Sequence, residues 1–316
     1  MTRYIVRRLL MLIPVLIGIS LITFALVRMV PGDIVTQMMG VTAGNNPEIR
    51  QKILHELGLD LSFGQQYVRW LGKLLKIDFG YSYIHGKPVL QEILRRYPVT
   101  LQLVAMSMII ALVIGVPGGM LAAINRGKVV DYTSRLFTLI GISAPNFFVG
   151  TLIVVLGAIY FPGIKTTGYV AITENPVQSI QRMLWPALAL GLAVSAIIMR
   201  YTRSSMLDVL GEDYVRTARA KGLTGRVIFS RHVLKNALIP IITISGVQVS
   251  FLLGGMVLLE EVFAIPGVGR LILGSISQRD YPMIQGAVLF LALNVVVVML
   301  VADILCATAD PRVRLQ

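Results

Sequence analysis

Long apolar runs alternate with polar stretches along this chain. A helix needs ~20 mostly apolar residues to cross a bilayer. Six runs meet that length: Arg8–Met29, Leu101–Ile124, Leu136–Tyr160, Trp185–Met206, Ala237–Leu259 and Ile284–Ala307. The fourth carries Arg200 and Arg203 in its last turn. Pro14, Pro117 with Gly118 and Gly119, Pro145, and Gly254 with Gly255 punctuate the runs. Small residues let helices approach closely in lipid, and Pro is tolerated where neighbours satisfy the freed backbone. The first run follows Arg3, Arg7 and Arg8, as in a signal peptide, but no A-x-A-like site follows it. It spans about 19 residues, beyond the usual secretory apolar region, and reads as a retained span.

The polar stretches set the topology. Arg and Lys collect at the N-terminus (Arg3, Arg7, Arg8), in the second short loop (Arg126, Lys128, Arg135), around Glu212–Pro240 and at Arg312 and Arg314. An Arg/Lys excess in short loops marks the cytoplasmic side. Six spans place these four regions together, with both termini inside. The stretch from about Val30 to Thr100 then lies outside and is long enough to escape the charge rule. Asn46 and Pro47 predict a helix start and Gly58 its stop, with Ile49, Ile53 and Leu57 on one stripe. Tyr67, Leu71, Leu74 and Leu75 form a second helical stripe, and Val89, Ile93 and Leu94 suggest a third. The expected division is 1–30 as the first transmembrane helix, 31–99 as a folded extracytoplasmic subdomain, and 100–316 as a five-helix core with a cytoplasmic loop at 207–237.

Composition fits this pattern: 55% of the 316 residues are hydrophobic and only 14% charged. The formal charge of +13 sits mostly beside apolar runs. No basic stripe with interleaved aromatics appears, so nucleic acid is not an expected partner. Cys306 is the single cysteine and lies within a span, which excludes an internal disulfide. His55, His85 and His232 have no ligand spacing, so no metal is expected.

The segment Glu212–Pro240, EDYVRTARAKGLTGRVIFSRHVLKNALIP, is basic and polar between two membrane-length runs. A helix from about Glu212 to Lys221 can stop at Gly222, which adopts the left-handed conformation without steric cost. Thr224 can cap a second helix. Glu212 and Asp213 suit the first helix's positive end, and Arg219 and Lys221 its negative end. Ala218 and Ala220 keep the helix thin enough to enter a groove on a soluble partner. By pattern alone, an amphipathic hairpin lying on lipid headgroups is also open.

The residues resemble the EAA loop of permease subunits in ABC importers. The match is Arg216-Thr217-Ala218, then three residues, then Gly222. The Arg-Thr in place of Glu-Ala, and R-H-V-L-K-N-A-L-I-P after it, look like the dipeptide/oligopeptide/nickel branch. Further resemblances to that branch run in the same order along the chain. They are Pro31-Gly32-Asp33, Leu57-Gly58-Leu59-Asp60, Asp78-Phe79-Gly80-Tyr81-Ser82, Glu261-Val262-Phe263, Pro266-Gly267-Val268-Gly269-Arg270, Arg279-Asp280-Tyr281-Pro282 and Asp310-Pro311-Arg312. The long first loop looks like the DppB/OppB-type subunit.

That resemblance implies an all-α integral membrane protein with the type I ABC importer permease fold. It implies a homologous second permease subunit of the DppC/OppC type, two ABC ATPase subunits and an extracytoplasmic substrate-binding protein. It also implies a peptide substrate, with glutathione or a nickel chelate as alternatives. Glu212, Tyr214, Arg216, Ala218, Arg219, Lys221 and Gly222 are the expected ATPase-coupling residues. No phosphate-cradling G-x-x-x-x-G-K-[ST] occurs, since Gly72-Lys73, Gly86-Lys87 and Gly127-Lys128 lack the flanking residues. ATP and Mg are therefore expected on the partner ATPases, with no cofactor in this chain and no catalytic residue. Ser143, Asn146, Gln248 and Asn294, beside Pro145, are candidates for the translocation path, with interhelical hydrogen bonding or a packing kink as the alternative. Asp303 is an intramembrane acid, which is a functional candidate, or else a snorkelling or paired group near the interface. A proton-coupled carrier would need a relay of buried ionisable groups, and a passive channel would need no loop shaped for an ATPase.

Overall fold

The computed structural model describes residues 2–29, 51, 55, 60–82 and 84–309, with the side chains of 2–9, 26–29, 226, 230–232 and 305–309 left aside. The helix expected after Asn46, apart from Gln51 and His55, and the Pro31-Gly32-Asp33 element lie outside the described residues, as do the side chain of Cys306 and that of His232. In chain order the elements begin with α1 (Thr2–Met29), α2 (Phe63–Leu74), β1 (Tyr81–Ser82), β2 (Lys87–Pro88), α3 (Val89–Ile124), α4 (Val129–Ser143) and α5 (Asn146–Tyr160). They continue with α6 (Pro176–Gly211), α7 (Asp213–Ala220), α8 (Leu234–Val262), α9 (Val268–Gln278) and α10 (Tyr281–Ala309). The chain divides into two compact units, one of Met1–Arg8, Pro98–Arg270 and Asn294–Gln316, the other of Leu9–Tyr97 and Leu271–Leu293.

Among the described residues, α3, α6, α8 and α10 are long and apolar enough to cross a membrane, and α1 is apolar over Leu10–Ala25. The third expected run, Leu136–Tyr160, is not one straight helix. It is shared between α4 and α5, which meet at 96°. The cause is local. A residue before proline is pushed out of the helical region, and Ala144 has φ −82° and ψ 123° ahead of Pro145.

In the first unit α6 is the hub, packed by α4, α5 and α8. It starts where Asn175 Oδ1 accepts the backbone N–H of Gln178, 3.0 Å away, with Pro176 in the first turn. It then runs past the expected Met206 to Gly211, so Arg200 and Arg203 lie well inside it. Small residues allow its close approach to α3: a Cβ on Gly119 would lie 2.6 Å from the Met199 carbonyl oxygen, and one on Gly191 2.8 Å from that of Ser107. Arg203 Nε and Nη2 donate to the two carboxylate oxygens of Asp131 at 2.6 and 3.1 Å, pinning the start of α4 to α6. Arg135 Nη2 and the Gly127 N–H donate to the same carboxylate at 2.8 and 3.0 Å. The Asp131 side chain is wholly buried.

In the second unit, Phe24 of α1 is fully buried against Phe63, Tyr67 and Trp70 of α2, with ring centroids 5.3, 5.4 and 5.3 Å away. The α2 stripe is as expected at Tyr67, Leu71 and Leu74, which are half-buried, but Leu75 is 81% exposed. Helix α2 begins where Gln65 Oε1 accepts the backbone N–H of Ser62 at 3.2 Å. The strands pair antiparallel, Tyr81 with Pro88 and Ser82 with Lys87. The third expected helix of this region is not separate. Val89 opens α3, which continues through Pro98.

Candidate functional site

Helix α7 is one residue shorter at each end than expected, Asp213–Ala220, with Glu212 and Lys221 as its flanking caps. Glu212 also ends α6, in an extended conformation (φ −68°, ψ 146°), so the chain turns sharply there. The far end stops at Gly222, whose φ is 77°. The Gly222 N–H donates to the Arg219 carbonyl at 3.0 Å and the Leu223 N–H to that of Ala218 at 3.3 Å. These are the paired bonds of a Schellman stop.

One face of α7 is an anchor. Val215 and Ala218, three residues apart, are buried with Ala123, Met206, Ile228, Val233 and Ala237. Ala218, expected among the docking contacts, is thus only 6% exposed and faces its own chain. The other face is open: Glu212, Tyr214, Arg216, Arg219, Lys221 and Gly222 are all exposed. Arg216 lies 3.4 Å from Asp213, with both side chains at least 80% exposed. Such a pair contributes little and exchanges partners freely. Asn236 Nδ2 donates to Tyr214 Oη at 2.9 Å, tying α7 to α8. An open depression of about 880 Å³ lies alongside, lined by apolar Leu207, Leu210, Leu223 and Phe229 and by Arg126 and Arg219.

The second helix of the hairpin differs from expectation. Thr224 occupies the cap position without a side-chain cap bond. A turn at Gly225–Val227 passes into π-helical turns at Ile228–Val233, which continue directly into α8, with Pro240 inside that helix. Ile228 and Val233 are five residues apart, the spacing of a π turn, and both are buried in the anchor cluster. The polar hairpin is therefore one short helix held against the prolonged end of a membrane-length helix.

The expected path residues are spread along four helices. Ser143 is exposed and Asn146 half-buried, on either side of the Pro145 bend. Gly255 of α8 faces Asn146, whose Nδ2 would lie 3.8 Å from a Cβ there. Gln248 is 6% exposed, and its Oε1 has no hydrogen-bond partner among the described residues. Asn294 and Asp303 are half-buried on α10. Among the described residues no three His, Cys, Asp or Glu side chains cluster as metal ligands would.

Besides Asp131 and Glu92, two further buried carboxylates were not singled out in the sequence. Glu260, fully buried in α8, accepts Thr100 Oγ1 at 2.7 Å and the Arg270 N–H at 3.0 Å. Thr100 Oγ1 in turn accepts the Val268 N–H at 2.9 Å. A Cβ on Gly267 would fall on the Glu260 carboxylate, so that glycine is required by close approach. In the second unit, buried Asp280 accepts Ser82 Oγ, sits 3.1 Å from His85 Nδ1, and accepts the Met283 N–H at 3.3 Å. The signal for both was present in the Pro-Gly-Val-Gly-Arg and Arg-Asp-Tyr-Pro motifs, but those motifs do not say which distant hydroxyl completes them.

Comparison with known families decides the identity. Residues 115–315 match the binding-protein-dependent transport system inner membrane component, and residues 1–104 match the N-terminal component of the same systems. The chain belongs to this transport family. Its relatives include the dipeptide transport system permease DppB of Escherichia coli K12, 39% identical over 99% of both chains. The oligopeptide transport system permease AppB of Bacillus subtilis is 40% identical over 99% of this chain and 100% of its own. The di/tripeptide permease DppB of Pseudomonas aeruginosa is 39% identical over 100% of each. The fold resembles an inward-facing structure of the MetNI methionine ABC transporter, with TM-score 0.54 and 17% identity, over 70% of this chain and 97% of the other. The main family match contains all of α7 and its flanks. Membership makes this a multi-pass inner membrane component, with the DppB/OppB-type resemblance upheld across its whole length.

Proposed function

We propose that this chain is one of two permease subunits in an ATP-driven peptide importer, and that the exposed face of α7 docks on an ATPase subunit. The supporting observation is the division of α7 into an anchored face, Val215 and Ala218, and a charged outer face carrying Arg216, Arg219 and Lys221. A helix held this way moves as one body with the ends of α6 and α8. ATP-driven closure of two ATPases then biases the transmembrane helices between two states, as an effector with unequal affinity must.

In this reading the chain crosses the membrane six times with both termini in the cytoplasm, α4 and α5 forming one broken span. Residues 1–30 form the first span, 31–99 an extracytoplasmic subdomain that meets a substrate-binding protein, and 100–316 the core. The loop 207–237 faces the cytoplasm. A homologous permease subunit completes the path, to which Ser143, Asn146, Gln248 and Asn294 contribute. ATP and Mg sit on the ATPases. Dipeptides or oligopeptides are the substrate class, in line with the names of the relatives; glutathione and nickel chelates are the alternatives within the branch.

The test is uptake of a labelled dipeptide into proteoliposomes holding the assembled transporter and its binding protein. Uptake is expected only with ATP and is abolished by vanadate. Uptake driven by a proton gradient without ATP contradicts the proposal.

A further inference from the structure

We infer that an anionic phospholipid binds in the arginine-lined depression between α4 and α6. This depression, about 600 Å³, shares Arg126 and Leu207 with the one alongside α7, but no residue of α7 lines it. Arg126, Arg135, Arg200 and Arg203 line it, and among the described residues no acidic side chain does. The nearest compensating charge is the buried Asp131 carboxylate, which of these four arginines engages Arg135 and Arg203. Arg126 and Arg200 are exposed and outside that ion pair, and Arg200 lies over the Tyr201 ring at 5.5 Å. Four guanidinium groups against one carboxylate leave an uncompensated positive site with the fork geometry suited to phosphate.

The wall of the depression favours a lipid over a free anion. Leu139 and Ile142 line it, yet they are 65% and 45% exposed on a helix of the membrane-length pair. Three residues apart, they share one face of α4. A phosphodiester seated among the arginines would lay its acyl chain along this strip, covering apolar surface that a free phosphate leaves bare. Basic pockets between membrane helices select anionic headgroups in this way.

The experiment uses the full-length chain purified in detergent with its accompanying subunits. It is mixed with photoreactive phosphatidylglycerol or phosphatidylcholine bearing the reactive group on the acyl chain. Adducts on peptides containing Leu139 and Ile142 are quantified by mass spectrometry. Phosphatidylglycerol is expected to label these peptides far more than phosphatidylcholine. Surface arginines each contribute about fivefold to anionic-lipid binding, so Arg126→Gln with Arg200→Gln is expected to lower phosphatidylglycerol labelling roughly 25-fold. Phosphatidylcholine labelling is expected to stay constant, which reports an intact fold. Equal labelling by the two lipids, or no loss in the double variant, overturns the inference. Crosslinks from position 126 to an acidic segment of another subunit, without lipid adducts, assign the site to a protein partner and overturn it equally.

Discussion

Gly222 carries φ 77° at the end of α7, a conformation that costs an L-residue about 1–2 kcal/mol. Among the described residues no neighbour lies within 4 Å of where its Cβ would be, so the penalty of a side chain there is backbone strain and not a clash. Gly222→Val is expected to leave the fold intact while loosening the end of α7. Peptide uptake should fall while ATP hydrolysis by the assembled transporter persists, measured separately in proteoliposomes. Equal loss of both, or loss of neither, speaks against the coupling role. Asp131 is the opposite kind of residue. It is buried and bonded to Arg203 on another helix, and removing one partner of a buried ion pair costs about 3–5 kcal/mol. Asp131→Ala is expected to lower the detergent-solubilised melting temperature sharply, whereas Arg135→Ala, whose side chain is 54% exposed, is expected to change it little. Gly267→Ala would press on the Glu260 carboxylate and cost about 1–3 kcal/mol, which thermal denaturation would reveal.

At the scale of elements, α7 depends on its apolar anchor. Val215→Asp places a charge in a site with no exposure, which costs several kcal/mol unless the helix lifts away. Protease sensitivity at Arg216 and Arg219 is expected to rise in that variant, with the rest of the chain still resistant. Helix stops show how far sequence reaches. The stop at Gly222 was legible because glycine tolerates positive φ. The same two-bond stop ends α2 near Ile77 (φ 62°), α8 at Ala264 (φ 55°) and α9 at Arg279 (φ 55°), and none of these residues announces it. At Ala264 the strain is met by the stop's own bond from the Ile265 N–H to the Glu260 carbonyl at 2.7 Å, and by the burial of Ile265, which local sequence does not encode. Proline alone does not decide where a helix ends. Helix α3 continues through Pro98, while Pro145 turns the chain by 96° inside an apparently single span. Four of the apolar runs were legible as membrane-length helices because the lipid requirement is length and apolarity alone.

At the scale of the whole molecule, the basic segment with its glycine stop was legible, but the inward and outward halves of the proposed docking helix were not. Only the fold brings Ala123 of α3 and Ile228, Val233 and Ala237 of the later chain against Val215 and Ala218. That assembly converts a charged eight-residue helix, too short to be stable alone, into a rigid projection. The account's central claim is that this projection is gripped by an ATP-hydrolysing subunit in the cytoplasm. The most direct measurement is disulfide crosslinking from Arg216→Cys to cysteines placed around the surface of the ATPase in inside-out vesicles, with and without ATP. The account predicts a crosslink to the ATPase whose yield changes with nucleotide. Labelling of position 216 by an impermeant thiol reagent only from the outside of intact cells, or no crosslink to the ATPase under any nucleotide condition, would contradict it.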